Sequence, residues 1–156
     1  MAAKSKNFRG TSYHSTDEKA RITVPARFRE VLKDGEVDGV MVSRMDGALV
    51  AYPFDEWQVI ENRIMTKSKR NAKLRQFRRF FVGGAQECMC DKQGRILVPK
   101  DLRDYAGIGA KEEIALVGAV SHFEIWDKNK YDAAYEDFEE VLNSGELDDE
   151  IEDMGL

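Results

Sequence analysis

Two acid–base pairs recur in this chain at one spacing: Asp17 is followed four residues later by Arg21, and Asp91 by Arg95. Each pair sits in a thirteen-residue stretch, DEKARITVPARFR and DKQGRILVPKDLR, and the second stretch begins 74 positions after the first. Three chemistries use such residues. Two carboxylates brought to one axis could share a proton as an acid–base dyad, but an arginine four residues from each keeps both ionised. A structural use is simpler: aspartate closes a turn by accepting nearby backbone N–H groups, Gly94 suits a position with φ > 0, and the arginine is an ion-pair partner. The third use is recognition of DNA. Arginine meets guanine through two parallel hydrogen bonds and clamps phosphate, and a twofold pair of arginine-bearing turns would present two equivalent readers to a duplex. Lys19 and Lys92 on the turns, with Arg27 and Lys100 just beyond them, would back Arg21 and Arg95. The spacing alone leaves the structural and the DNA-reading uses both open.

The elements that hold these residues are themselves duplicated. At the constant offset, Val24-Pro25 falls on Val98-Pro99, Val40 and Val42 on Ile114 and Leu116, Tyr52 on Trp126 and Trp57 on Tyr131. Aromatic for aromatic and proline for proline over about fifty positions is an internal repeat. Each half reads as a strand (FRGTSYHS; VGGAQECMC), a turn holding the aspartate, and a β-branched run (RITV; RILV). A proline-opened helix follows (PARFREVL; PKDLRDYA). Proline loses nothing in a helix's first turn, where its N–H would have no intrahelical partner. Two strands come next (GVMVSR, ALVAYP; EIALVG, HFEIWD), with MDG a hairpin turn in the first copy. A helix with apolar residues three and four apart closes each half. About seventy residues make a marginal core, so two copies burying each other's apolar faces about a pseudo-twofold axis are expected. The fold class is α+β: one barrel-like domain built from two tandem β-α-β-β repeats with flanking helices.

Charge divides the chain unevenly. The net charge is −5, but residues 136–156 hold ten acids and no lysine or arginine. The remainder therefore carries 24 bases against 19 acids. A terminal block of like charge repels itself and is expected to stay disordered. Between the copies, Arg63 to Arg79 contains eight bases, with no acid from Asn62 to Gln86. On a helix, Leu74, Phe77, Phe80 and Phe81 would form an apolar stripe with Arg75, Arg78 and Arg79 facing elsewhere. That segment reads either as a solvated cross-over helix or as a phosphate-contacting surface.

No apolar run approaches the ~18–20 residues needed to span a bilayer, and the basic start MAAKSKNFRG lacks the apolar centre of a secretory signal. A cytoplasmic protein without a membrane partner is expected. Cys88 and Cys90 lack the paired spacings of a structural zinc site and read as two small apolar side chains under a sheet, with no disulfide. No nucleophile–base pair, phosphate-binding glycine loop or metal cluster is evident. The expectation is a protein that is not an enzyme, with no metal, no cofactor and no small-molecule substrate.

The two thirteen-residue stretches, with RRFFVGGAQECMCDKQGRILVP as the lead-in to the second, resemble the MraZ family of bacterial transcriptional regulators over about residues 7–142. The resemblance implies two tandem modules like the swapped-hairpin fold of AbrB and MazE, at residues 7–62 and 81–142. A basic connecting helix at 63–80 would join them, with an acidic disordered tail at 143–156. It implies a sequence-specific DNA-binding repressor of the division and cell-wall gene cluster, acting on double-stranded DNA with short direct repeats. It also implies a ring-like homo-oligomer associated with the nucleoid. The family's D-x-x-x-R element falls on Asp17 and Arg21 and on Asp91 and Arg95. The alternative is an AbrB/MazE-like antitoxin whose acidic tail wraps a basic toxin. Ala20 stands where the second turn has Gly94. Since alanine tolerates φ > 0 poorly, the first turn is expected to be more open, leaving Arg95 to read bases and Arg21 to contact phosphate.

Overall fold

In the computed structural model, residues 7–33 and 38–156 are described; residues 1–6, read above as basic without a signal's apolar centre, lie outside them. The first copy contributes β1 (Thr11–Ser15), β2 (Ile22–Thr23), α1 (Ala26–Lys33), β3 (Gly39–Met45), β4 (Ala48–Tyr52) and α2 (Phe54–Ser68). After α3 (Ala72–Phe81) the second contributes β5 (Gln86–Met89), β6 (Arg95–Ile96), α4 (Lys100–Ala106), β7 (Glu113–Gly118), β8 (Phe123–Asp127) and α5 (Lys128–Ser144), followed by α6 (Asp148–Asp153). The repeated β-α-β-β order is thus present in both halves. No helix among the described residues is long and apolar enough to cross a membrane.

Six strands form one antiparallel sheet in the order β1-β7-β8-β4-β3-β5, and β2 pairs with β6 in a separate ribbon. The first strand of each copy pairs with the third strand of the other. Reversing the strand order and exchanging the copies gives the same sheet, which is the pseudo-twofold axis read from the repeat. The axis passes through the pair Val50↔Glu124 and through Ile22↔Ile96, residues one repeat apart in each case. The expected barrel is not closed. β1 and β5 each have one neighbour and remain the sheet's edges, because β2 and β6 pair with each other instead of joining them.

The ribbon's Ile22 and Ile96 are fully buried in a core shared with Phe28 and Leu32 of α1, Leu102 and Ala106 of α4, and Leu49, Ala51, Ile114 and Ile125 of the sheet. Burying each of the isoleucine, leucine and phenylalanine side chains among them contributes ~1.5–3 kcal/mol. Neither copy owns this core. β4 is buried along its whole length because its other face, Val50 and Tyr52, packs with Trp57 of α2 and Phe81 of α3. The MDG turn between β3 and β4 has Asp46 at φ 55° and Gly47 at φ 81°, the double positive φ of a tight hairpin turn.

Two segments differ from expectation. The stretch 63–80 is not one helix: α2 ends at Ser68 and α3 starts at Ala72, where the Asn71 side chain accepts the Leu74 N–H at 3.1 Å. Phe80 leaves the expected stripe and stands 53% exposed, while Arg78 turns back to α2 and donates to the Ser68 hydroxyl at 3.1 Å. At the other end, where disorder was expected, α5 runs to Ser144 and α6 forms over 148–153. The three acids in the first turn of α6 face the positive end of its dipole, which offsets part of their mutual repulsion.

Candidate nucleic-acid interface

Each Asp–Arg turn is built the same way. Asp17 Oδ1 accepts the backbone N–H groups of Lys19 at 2.9 Å and Arg21 at 2.8 Å, and Oδ2 accepts Arg21 Nε at 2.6 Å. Asp91 Oδ1 accepts those of Gln93 and Arg95, both at 2.9 Å, and Oδ2 accepts Arg95 Nε at 2.9 Å. The aspartate therefore fixes both the turn and the orientation of the guanidinium. Hydrogen bonds from the Arg95 N–H, the Arg95 guanidinium and the Gln93 N–H outweigh burial and hold the Asp91 carboxyl below the usual carboxylate range. Burial would raise the Asp17 carboxyl, but the Arg21 N–H, its guanidinium and the Lys19 N–H together pull it below that range. The carboxylate forms are thus favoured, through the backbone N–H groups of the turn first and the arginine side chains second.

The open first turn is corrected. Ala20 adopts φ 63° and Gly94 φ 77°, and their N–H groups reach the carbonyls of Asp17 and Asp91 at the same 3.0 Å. Alanine accepts the left-handed conformation because the bonds around it over-determine the turn and its methyl is buried, at 2% exposure. The different roles expected of Arg21 and Arg95 lose their basis with the conformational difference. What asymmetry remains is electrostatic. Arg95 Nη1 also lies 3.7 Å from Asp17 Oδ2, so Asp17 faces both arginines.

Pairing of β2 with β6 brings the two turns to one surface, and alternation along the ribbon decides what faces out. Ile22, Val24, Ile96 and Val98 point to the core; Arg21, Thr23, Arg95 and Leu97 take the other face, with Thr23 opposite Arg95 in the register. Leu97 is 54% exposed. Thr23 and Leu97 were missed in the sequence, although a leucine two residues after the arginine, between buried Ile96 and Val98, carries the signal. Lys19 and Lys92 are exposed on the turns. Arg27 and Lys100 are turned to other partners: Arg27 Nη2 donates to the Ser12 hydroxyl at 3.1 Å, and Lys100 Nζ lies 2.7 Å from Asp104. Gly94 is crossed by the Arg29 guanidinium, which pairs with Asp38 at 3.1 Å.

Beneath the turns the cysteines divide. Cys88 is buried under the sheet, whereas Cys90 stands beyond β5 and only packs against the core. Cys90 occupies the position of Thr16: the N–H groups of the two reach the carbonyls of Asp38 and Glu112, both at 2.9 Å. The Thr16 hydroxyl also donates to the Gly109 carbonyl at 2.6 Å, tying the first turn to the second copy.

Fold and surface together define a tandem-repeat protein with exchanged strands and one two-stranded ribbon presenting a pair of aspartate-braced arginines. The family model described as "MraZ protein, putative antitoxin-like" matches residues 7–80 and again 81–151. The chain is 50% identical over 149 residues to the transcriptional regulator MraZ of Desulforapulum autotrophicum, covering 96% of this chain and 99% of that one. To the proteins of the same name from Desulfosudis oleivorans and Clostridium beijerinckii it is 43% and 38% identical, with the same coverage of 96% and 99%. The chain belongs to the MraZ family.

Proposed function

We propose that this protein is a sequence-specific DNA-binding transcriptional regulator that acts by binding and not by catalysis. The observation that carries the reading is the outward face of the β2–β6 ribbon. Two guanidinium groups, each braced by a carboxylate through Nε, stand on a buried two-stranded base related by the pseudo-twofold. Such a ribbon enters the major groove as β-elements do elsewhere. Each arginine keeps terminal N–H donors beyond its bond to the aspartate for a guanine edge or a phosphate, with Thr23 and Leu97 offering apolar contact to thymine methyls. Relatives named transcriptional regulators over almost their full length support the same reading.

The finer parts belong to this proposal as well. The exchanged strands support two AbrB/MazE-like swapped-hairpin modules, at residues 7–62 and 81–142. The protein acts as a ring-like homo-oligomer on short direct repeats at the division and cell-wall gene cluster, in the cytoplasm and associated with the nucleoid. The antitoxin reading is not favoured, because one chain already supplies two copies of the module.

The test is binding to duplex DNA from upstream of the protein's own gene, against random duplex, at two salt concentrations. Arg21→Ala and Arg95→Ala are each expected to cost ~1–3 kcal/mol per lost bidentate contact, roughly 5- to 150-fold in affinity. The fold is expected to survive, since part-exposed ion pairs add little to stability. If both variants are folded and keep full discrimination between the two duplexes, the ribbon is not the reading surface.

A further inference from the structure

The helices outside the sheet carry charges of opposite sign. None of the eight bases from Arg63 to Arg79, and none of the ten acids of residues 136–156, forms an ion pair among the described residues. Each charged region also bears apolar surface. Between α2 and α3 runs an apolar groove lined by Ile64, Leu74 and Phe77, with Arg63 and Lys67 on its rim. On α5, a helix of 17 residues without a buried side chain, Tyr131, Tyr135, Phe138 and Leu142 fall on one face. Tyr135 is 54% and Phe138 47% exposed.

Tyr131 at the start of this face meets Tyr13 and Trp126, and the repeat explains why its far end, at Tyr135 and Phe138, is uncovered. Trp57, Ile60 and Ile64 of α2 correspond to Tyr131, Ala134 and Phe138 of α5. In the first copy that face meets α3, through Trp57 and Phe81 with ring centroids 5.3 Å apart. Where α3 follows α2, α5 is followed by α6, which has no buried residue.

We infer that the acidic α5–α6 region of one copy docks on the basic α2–α3 hairpin of a second copy, with Tyr135 and Phe138 entering the groove between Ile64, Leu74 and Phe77. The occupant is a second copy because the missing complement in each case is the other's property: an apolar face rimmed by bases meets an apolar face flanked by Asp137 and Glu139. Charge selects the partner and register, and the buried aromatics hold it. Because the two patches differ, subunits add head to tail. The basic hairpin is thereby assigned to assembly and not to phosphate. This rests on the reading of the protein as an oligomer but not on the reading of the turns as DNA contacts.

Charge exchange tests it. In sedimentation velocity at micromolar concentration and low salt, the native chain is expected to run as an oligomer. Asp137→Lys/Glu139→Lys and Arg63→Glu/Lys67→Glu, each checked for fold by circular dichroism, are each expected to run as monomers. An equimolar mixture of the two variants restores both sets of opposite charges and is expected to recover the oligomer. Arg21→Ala/Arg95→Ala should sediment as the native chain does, so failure of the DNA reading is scored separately. A native monomer, a variant that still assembles, or a mixture that stays monomeric overturns the inference. So does a hairpin variant that sediments normally but loses DNA affinity, which would return the hairpin to phosphate.

Discussion

Ala20 and Gly94 occupy twofold-related positions in the same left-handed conformation, so exchanging them in opposite directions separates strain from space. Ala20→Gly relieves the left-handed penalty of an L side chain, ~1–2 kcal/mol. It gives back ~0.4–1 kcal/mol through the more flexible unfolded chain and about 0.8 kcal/mol for one buried methyl. The net is expected within about 1 kcal/mol of zero. Gly94→Ala takes on the same penalty and recovers only the unfolded-state part. Its new Cβ would also stand 2.7 Å from Arg29 Nη1 and 2.8 Å from Arg29 Cδ, which moves the guanidinium from its 3.1 Å contact with Asp38. With that pair weakened, the expected loss is about 1–2 kcal/mol. Urea denaturation followed by circular dichroism measures both, the second variant unfolding at a clearly lower urea midpoint with an unchanged slope. Equal midpoints for native protein and Gly94→Ala would refute the reasoning, since φ 77° and the crossing arginine would then cost nothing.

Acid should act through the turn aspartates. Both carboxyls are held below their ordinary value, so the stability they contribute is complete above about pH 5 and is lost as the pH falls below about 4 through the lowered values. Asp17→Asn/Asp91→Asn is expected to flatten that limb in urea midpoints taken between pH 3 and 6, and an unaltered limb would contradict it. The thiols should be slow: burial pushes Cys88 up to about 11, and burial with the Asp38 carboxylate pushes Cys90 up to about 12. At pH 8 roughly one Cys88 thiol in a thousand is ionised, and fewer of Cys90. Labelling of the native chain by a maleimide should therefore run at least ~100-fold slower than in urea. A native rate within tenfold of the unfolded one would refute this.

The repeat made most of the architecture legible, because a constant offset fixes which strands are equivalent before any pairing is known. Asp17, Arg21, Asp91 and Arg95 could be placed on one axis for the same reason. What the offset does not contain is which copy a strand pairs with, so the open sheet was missed. Residue propensity misled at Ala20, where it argued for a different turn and the hydrogen bonds of Asp17 within the turn imposed the same one. Val120, between β7 and β8, is another left-handed residue, β-branched and at φ 69°. It is held there by two 2.9 Å backbone bonds to Phe8, more than a hundred residues away in sequence. Composition misjudged the acidic end, where a helix's own dipole and its caps offset what charge counting treats as pure repulsion.

The exchange of first strands also governs when the chain can fold. Thr11 of β1 pairs with Val117 of β7, so the first strand has no sheet neighbour until more than a hundred further residues have been made. At ~5–20 residues per second on the ribosome, that wait is roughly 5–20 s. β3, β4 and α2 pair locally and can form early, but the shared core closes only when the second copy arrives. Such long sequence separations place the protein among slow-folding topologies. During synthesis Phe8 and Ile22, fully buried in the finished core, are apolar surface that a holding chaperone would meet first.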